Sequence, residues 1–205
     1  MKIDKDSIKK EYEDNLDNYK KLAELVHYEL VRKIKPIKIQ PIVWRIKDLG
    51  SLLDKVRRRK IEKPFEQIHD IVGLRVICLF RPDIEKIKSI ICEEFEVFQE
   101  DDKASEMEPN MFGYMDLHLK AKLKSSFESP DGEKVKQIPF EIQVRTITQD
   151  AWASISHYLD YKKESLIPEQ LKKDFYALSG LFYVADTHFS FIWEKNNVAF
   201  EKDIK

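Results

Sequence analysis

Every second position of residues 139–146 carries a polar side chain, namely Glu141, Gln143 and Arg145. Side chains of a β-strand alternate between its two faces, so this run predicts a strand with one apolar face. Its other face would present a carboxylate, an amide and a guanidinium in one row. A half-exposed strand with a solvated polar face would give the same alternation. The neighbouring segments therefore decide between a site and a solvated face.

A second alternating run lies just upstream, at residues 114–123. Leucine and alanine occupy every second position, and the polar positions between them include Asp116, His118 and Lys120. Residues 129–132 read Ser-Pro-Asp-Gly, which is typical of a turn, so the two runs are predicted to form a hairpin. Two polar strand faces would then lie side by side. This arrangement favours a functional site.

Four side chains suited to phosphate binding follow one another in a short basic segment: Arg45, Lys47, Ser51 and Lys55. Residues two apart share a face of a strand, and residues four apart share a face of a helix. A strand leading into a helix start, lined by these groups, predicts a polyphosphate site, because cations neutralise phosphates and helix-start amides donate to them. Gly50 is the segment's single glycine, so this is not a glycine-rich phosphate loop.

The apolar, β-branched run of residues 71–80 predicts a central strand with Asp70 at its mouth. Gly73 would allow close approach of another group to the backbone, and Arg75 interrupts the apolar run. A buried arginine needs a partner, because an unpaired charge is costly to bury. Asp70 and Arg75 are therefore candidate site residues.

Helical periodicity brackets these strands. Residues 6–32 predict a long amphipathic helix, Thr146 is placed to cap a helix over residues 147–162, and Pro168 opens another that ends near residue 195. The acidic residues 99–112 are predicted to form a mobile loop. The last helix is predicted to bury a stripe of apolar side chains in the core: Leu171, Phe175, Leu178, Phe182, Ala185, Phe189 and Trp193.

The composition limits the class of protein. Of the 205 residues, 36% are charged and five are glycine, which is typical of long charged helices on one core. A net charge of −1 gives no overall attraction to nucleic acid or anionic membrane, so any anion site must be local. No apolar stretch reaches the length of a membrane span or resembles a secretion signal, so a cytoplasmic protein without membrane contact is predicted.

These patterns together predict an α/β (α+β) protein with a mixed central β-sheet flanked by helices. Residues 1–35 are predicted to be an N-terminal helical extension, and residues 36–165 the central domain. Residues 166–205 are predicted to form a C-terminal helix that packs on this core or on a partner.

Five short motifs resemble the synthetase domain of the RelA/SpoT family, and within it the short single-domain members. They are Arg45-x-Lys47-x3-Ser51-x3-Lys55, His69-Asp70-Ile71-Val72-Gly73-Leu74-Arg75, Gly113-Tyr114-x3-His118, Glu141-Ile142-Gln143-Val144-Arg145-Thr146, and Trp152-Ala153-x3-His157 with Tyr161-Lys162. Each motif alone is weak, whereas five in family order are a strong match. The resemblance implies a nucleotidyltransferase-like synthetase domain over residues 36–165.

The resemblance implies a pyrophosphokinase that uses Mg²⁺. The family transfers the β,γ-pyrophosphate of ATP to the ribose 3′-hydroxyl of GDP or GTP, which makes the alarmone (p)ppGpp. By position, Arg45 and Arg75 would stack on adenine, and the other ATP-binding residues would hold the phosphates. The implied ATP-binding residues are Arg45, Lys47, Ser51, Lys55 and Arg75.

The resemblance also implies two catalytic acids. Asp70 would bind magnesium, and Glu141 would join the metal shell or take the proton from the attacking hydroxyl. Tyr114 would stack on the acceptor base. The implied acceptor-binding residues are Tyr114, His118, Gln143, Arg145 and His157.

Two residues depart from the family pattern. Asp116 stands where members usually carry a serine, and Ser156 where they usually carry an acid. A carboxylate beside a nucleotide-phosphate site repels the phosphate. The donor residues therefore match the family pattern better than the acceptor residues do.

Other readings stay open on the sequence alone. Some short family members are toxins that place the pyrophosphate on the 3′ end of tRNA and are neutralised by an antitoxin protein. A non-catalytic nucleotide-binding module would keep the base-stacking residues but would not need both acids. Short members are often homo-oligomers. The basic residues available for an RNA surface, or for a solvated helix face, are Lys20, Lys21, Arg32, Lys33, Lys35, Arg57, Arg58 and Arg59.

Overall fold

The computed structural model describes residues 5–102, 116–127, 133–160 and 168–203. Its strands are β1 (Val43–Ile46), β2 (Val72–Cys78), β3 (Phe95–Asp102), β4 (Leu117–Leu123) and β5 (Phe140–Thr146). Its helices are α1 (Lys5–Lys33), α2 (Leu49–Arg59), α3 (Pro64–Gln67), α4 (Pro82–Glu94), α5 (Glu133–Gln137), α6 (Ile147–Asp160) and α7 (Glu169–Asp203). No helix in these described ranges is long and apolar enough to cross a membrane.

The five strands form one sheet in the order β1-β2-β5-β4-β3. The central pair β2–β5 is parallel, and the other pairs are antiparallel, so the sheet is mixed as predicted. Buried and half-buried residues alternate along β4, which confirms the alternation read from the sequence, and β2 is the predicted central strand with the same burial pattern. Along β5 the polar row is largely buried as well, because neighbouring strands and α6 cover it.

Helix α1 shares the hydrophobic core of the sheet. Leu22, Ala23 and Val26 are fully buried within that core. The Tyr12 hydroxyl donates a hydrogen bond of 2.9 Å to the backbone carbonyl of Lys47. The N-terminal helix is therefore tied directly to the segment that carries the basic residues.

One predicted loop differs from the structure, and one predicted hairpin is confirmed. Residues 99–102, predicted as loop, belong to the edge strand β3, which pairs with β4. Charged side chains are common on edge strands because they discourage pairing with other molecules, and they hide the strand pattern in the sequence. The predicted hairpin is confirmed, because β4 and β5 are antiparallel neighbours, and the short helix α5 lies in the connection between them. The remainder of the predicted loop and the predicted turn at 129–132 lie outside the described residues.

Thr146 caps α6, as predicted. Its Oγ1 accepts from the amide of Gln149 at 3.1 Å, and its own amide donates to Gln149 Oε1 at 2.9 Å. This reciprocal pair satisfies two backbone donors at the helix start. The start of α6 is therefore fixed to the end of β5.

Helix α7 packs on α6 through fewer apolar residues than predicted. The rings of Phe175 and Trp152 lie 4.6 Å apart between centroids, as expected for core aromatics. Leu171, Leu178 and Phe189 are 49%, 49% and 55% exposed, so the prediction that they belong to the core is wrong. Residues 169–203 do form a helix, but a different face of that helix packs against the rest of the domain. The buried polar residues on that side are Ser179, Asp186 and Ser190.

These buried polar groups fix α7 to the domain. The Ser190 hydroxyl accepts from the backbone amide of Arg81 at 3.0 Å. Asp186 is 3% exposed, and one of its carboxylate oxygens has no hydrogen-bond partner among the described residues. Burial raises the pKa of Asp186, and hydrogen bonds from Thr146 and Thr148 oppose this only in part.

We expect Asp186→Asn to raise the melting temperature at pH 7.5. A group whose pKa is raised by folding contributes stability while protonated and loses it as pH rises, so ionised Asp186 is unfavourable at neutral pH. The asparagine keeps one acceptor oxygen and carries no charge. The gain should shrink as pH falls toward the ordinary aspartate value of 3.8. Asp174→Asn, at an exposed position of α7, is the control. A lower melting temperature for Asp186→Asn at every pH would contradict this account.

Candidate active site

Lys47, Lys55 and Asp70 form a charged group where β1 leads into α2. The Nζ atoms of Lys47 and Lys55 lie 3.2 and 2.8 Å from the same oxygen, Asp70 Oδ2. The other oxygen, Oδ1, is buried and has no hydrogen-bond partner among the described residues. Burial alone would raise the pKa of Asp70, but the two lysines outweigh it and hold the pKa below its ordinary value. Asp70 is therefore ionised at neutral pH.

The start of α2 is closed by a carboxylate. Asp48 Oδ1 accepts from the backbone amide of Ser51 at 2.9 Å, which is an N-cap. The hydrogen bonds from Ser51 hold the pKa of Asp48 below its ordinary value. A phosphate would have to displace Asp48 to accept a hydrogen bond from this amide. The prediction that the amides at this helix start are available to a phosphate is therefore wrong for Ser51. The Ser51 hydroxyl, Lys47 and Lys55 are the candidate phosphate ligands that this segment retains.

Arg45, Gly73 and Glu141 occupy one row across three strands. Gly73 on β2 pairs with Arg45 on β1 and with Glu141 on β5. A Cβ atom at Gly73 would lie 3.8 Å from both Cγ and Nε of Arg45. The Arg45 side chain therefore lies over the glycine, and a larger residue there would extend between Arg45 and Glu141. A Cβ atom at this distance would make an ordinary van der Waals contact, so the position of Arg45 does not itself require glycine at residue 73.

Glu141 lies in a buried polar network. It is 8% exposed, it accepts from Gln143 Nε2 at 2.9 Å, and its Oε2 lies 3.4 Å from His118 Nδ1. Burial would raise the pKa of Glu141, but the neighbouring His118 and Gln143 lower it. Burial would lower the pKa of His118, but hydrogen bonds to Asp116 and Glu141 raise it to about 9. At neutral pH an ionised carboxylate therefore faces a protonated imidazole.

Arg145 lies beneath this network and is 2% exposed. Its Nη2 donates to Asp116 Oδ2 at 2.9 Å and to Gln143 Oε1 at 2.7 Å. The same oxygen of Asp116 lies 2.7 Å from His118 Nε2. Arg145 therefore fixes the positions of Gln143 and Asp116 through hydrogen bonds at the buried end of the polar row. Asp116, which departs from the family pattern, neutralises Arg145 and His118 and is itself 3% exposed.

Arg75 and Arg145 meet at Asp150, in the first turn of α6. The Nη1 atoms of both arginines lie 3.3 Å from Asp150 Oδ1. This confirms that Arg75 has a charged partner. The sequence analysis missed Asp150, although its position five residues after Arg145, in a helix start capped by Thr146, was a usable signal.

The structure brings most of the predicted site residues to one sheet face or its end. His157 is exposed on α6, two turns beyond Asp150 and on the same side of that helix. Tyr114 lies outside the described residues. The residues brought together are Arg45, Lys47, Lys55, Asp70, Arg75, His118, Glu141, Gln143 and Arg145. Several basic residues considered for an RNA surface form ion pairs: Lys21–Asp17, Arg32–Glu29, Lys33–Glu94 and Arg57–Asp54.

Residues 44–166 match the family described as a region found in RelA / SpoT proteins. The chain belongs to the RelA/SpoT family. The matched region contains every site residue discussed above and both acids, Asp70 and Glu141. The resemblance read from the five motifs is therefore confirmed.

Two relatives from Bacillus subtilis are similar in sequence. The GTP pyrophosphokinase YjbM is 34% identical over 137 residues, which cover 65% of this chain and 62%, less than two thirds, of YjbM. The GTP pyrophosphokinase YwaC is 30% identical over 165 residues, which cover 78% of this chain and 75% of YwaC.

Solved structures show the same fold. The small alarmone synthetase 1 from B. subtilis, bound to its product pppGpp, has a TM-score of 0.76 and 29% identity, covering 91% of this chain and 98% of that one. The same synthetase bound to AMPCPP has a TM-score of 0.71 and 27% identity, covering 91% and 97%. Family membership and fold therefore agree.

We expect Asp116→Asn to destabilise the protein by about 3 kcal/mol, because it leaves the buried positive charges of Arg145 and His118 without their shared counter-ion. Thermal or urea unfolding measures the effect. Asp54→Asn, which breaks an exposed ion pair with Arg57, should change the free energy of unfolding by about 0.5 kcal/mol or less. Equal effects of the two substitutions would show that Asp116 has no such role.

Proposed function

We propose that this protein is an ATP-dependent pyrophosphokinase that transfers the β,γ-pyrophosphate of ATP to the ribose 3′-hydroxyl of GDP or GTP. The observation that carries the proposal is a pair of ionised acids, Asp70 beside Lys47 and Lys55, and Glu141 close enough for the charge of Asp70 to raise its pKa. The relatives named GTP pyrophosphokinase, and the relative bound to pppGpp, support the same activity.

The donor side follows from the positive charges. Lys47 and Lys55 are each partly exposed at their side chains, 13% and 21%, so phosphates can reach their ammonium groups. Arg45 and Arg75 lie on the same sheet face, where planar guanidinium groups can stack on the adenine ring. The relative bound to AMPCPP, a nucleotide triphosphate analogue, supports a donor of this class.

The residues present fit a magnesium ion. Mg²⁺ prefers oxygen ligands and keeps waters and substrate phosphates in its shell, so one or two carboxylates suffice. Asp70 Oδ1, buried and without a hydrogen-bond partner among the described residues, is such a ligand, and Glu141 is the second candidate. No cluster of three or more candidate ligand residues occurs in the ranges that the structure describes, so substrate would complete the shell. When bound, the ion would neutralise charge on the phosphates.

In this proposal Glu141 receives the proton of the acceptor hydroxyl. Its lowered pKa keeps it ionised, and Gln143 and His118 fix the orientation of its carboxylate. In the transfer, the 3′-oxygen forms a bond to the β-phosphorus of ATP, and the bond between that phosphorus and the α,β-bridging oxygen breaks. AMP leaves with the electron pair, and Glu141 takes the hydroxyl proton.

Asp116 does not exclude an acceptor phosphate. It was expected to repel one, but its charge is neutralised by Arg145 and His118 below the surface of the site. Protonated His118 adds a positive charge on the acceptor side. The proposal therefore keeps a free guanine nucleotide as the acceptor and places the reaction in the cytoplasm, where both nucleotides are available.

We also propose that a second copy of the chain covers α7. Five apolar side chains on one side of this helix are about half exposed, at 49%, 49%, 62%, 55% and 54%. Such a stripe is unfavourable in water unless a partner covers it. The residues of this apolar stripe are Leu171, Leu178, Leu181, Phe189 and Ile192.

Glu141→Gln and Asp70→Asn are each expected to lower the rate of label transfer from γ-labelled ATP by at least about 100-fold, because each removes a charge that acts on the reacting groups. Each substitution also removes the counter-charge of a lysine or histidine and lowers stability, so transfer is measured at a temperature at which unfolding curves show every variant to be folded. Asp54→Asn should transfer label at the wild-type rate. Full transfer by Glu141→Gln and Asp70→Asn would contradict the proposed roles and favour a different catalytic group.

The same assay identifies the acceptor when GDP, GTP, AMP and deacylated tRNA are offered separately with Mg²⁺. We expect label on GDP or GTP. Label on tRNA alone would support the toxin alternative, and with it a neutralising partner protein. Transfer to none of the four would support a nucleotide-binding module without turnover.

Leu181→Glu combined with Phe189→Glu is expected to shift the protein from oligomer to monomer, because both charges fall within the apolar stripe. Size-exclusion chromatography with light scattering measures the mass directly. Lys173→Glu, at an exposed position of α7 outside the stripe, should leave the mass unchanged. A monomeric wild-type protein at all concentrations would refute the proposed self-association.

A further inference from the structure

One carboxylate oxygen is shared by two arginines of the site. Asp150 Oδ1 lies 3.3 Å from Arg75 Nη1 and 3.3 Å from Arg145 Nη1. The Arg75 side chain is 33% exposed, the Asp150 side chain 22% and the Arg145 side chain 2%. An exposed cation and a buried cation therefore use the same acceptor atom.

The two arginines belong to different parts of the proposed site. Arg75 lies on β2, beside the positive charges assigned to the donor. Arg145 holds Gln143 and Asp116, and these residues contact Glu141 and His118 on the acceptor side. Asp150 thus contacts one residue of each group directly.

Asp150 is also held in place by its own helix. It lies in the first turn of α6, next to Gln149, whose side chain and amide both bond to Thr146. The backbone that carries the Asp150 carboxylate is therefore held in place. A change in the contact of Asp150 with one arginine then affects its contact with the other.

We propose that Asp150 is a positioning residue that couples binding of the donor nucleotide to binding of the acceptor nucleotide. This inference rests on the proposed function. A donor base stacked on the face of the Arg75 guanidinium holds that side chain still, and through the contact with Arg75 it fixes the Asp150 carboxylate that Arg145 also contacts. Arg145 in turn fixes Gln143, Glu141 and His118. The acceptor therefore binds more tightly when the donor is present, and by linkage the donor gains the same factor.

A purely structural role would have a different signature. An acidic residue in the first turn of a helix interacts favourably with the helix dipole, whatever ligand is present. Such a role changes the melting temperature but not the ratio of affinities measured with and without the second nucleotide. That ratio is therefore the informative quantity.

The test is isothermal titration calorimetry of GDP binding to the full chain with Mg²⁺, with and without saturating AMPCPP. The methylene group between the α- and β-phosphates of AMPCPP blocks transfer. We expect wild type to bind GDP about 5-fold or more tightly with AMPCPP present, within the usual range of coupling between sites. For Asp150→Asn the ratio should fall to about 1, while each nucleotide still binds alone. Asp150→Glu should restore part of the ratio, and Asp54→Asn all of it.

The outcomes separate this inference from the proposed function. Binding of both nucleotides with equal ratios in wild type and Asp150→Asn would overturn the coupling role and leave the function intact. If AMPCPP leaves the affinity of the wild-type protein for GDP unchanged, the coupling role is also overturned and the proposed function is unaffected. Wild type that binds neither nucleotide would overturn the proposed function and this inference together. If Asp150→Asn does not fold, a wild-type ratio retained by Asp150→Ala at reduced temperature would still overturn the role, and a lost ratio would support it.

Discussion

The site depends on mutual neutralisation of charges that are buried on one face of the sheet. Moving an isolated ion out of water is costly, and removing one member of a buried pair leaves the other without compensation. Arg145, Asp116 and Glu141 are all less than a tenth exposed, so each must have a partner of opposite charge. The alternating order of positive and negative side chains across β2, β5, β4 and α6 satisfies this constraint.

This constraint explains how the family pattern can change at Asp116. A serine at that position would offer Arg145 and His118 a hydroxyl, whereas aspartate offers a full negative charge. The Asp116 carboxylate is buried, at 3% exposure, beneath the surface that a substrate would contact. The consequence is a protonated His118 beside Glu141, which lowers the pKa of Glu141.

Local patterns predicted the strands β2, β4 and β5, the cap at Thr146 and most of the site, because alternation and motif order are properties of the sequence itself. Tertiary geometry decided the rest. Strand β3 is charged at its edge, so it reads as loop. In α7 the buried side carries Ser179, Asp186 and Ser190, and Ser190 accepts a hydrogen bond from the amide of Arg81, whereas helical period alone predicts that apolar residues face the core. The contact of Asp150 with Arg145 follows from their spacing of five residues, whereas its contact with Arg75 depends on where α6 begins relative to β2, which no spacing in the sequence encodes.

The state of Asp70 constrains how a donor would enter the proposed site. Its Oδ2 already binds Lys47 and Lys55, so phosphates that take these lysines would leave a buried carboxylate without its positive partners. That loss is unfavourable unless another cation reaches Asp70 at the same time. A triphosphate that arrives with its own divalent cation meets both needs, because the phosphates pair with the lysines and the cation pairs with the acid. The ion pairs within the protein therefore favour a metal-bound nucleotide over either component alone.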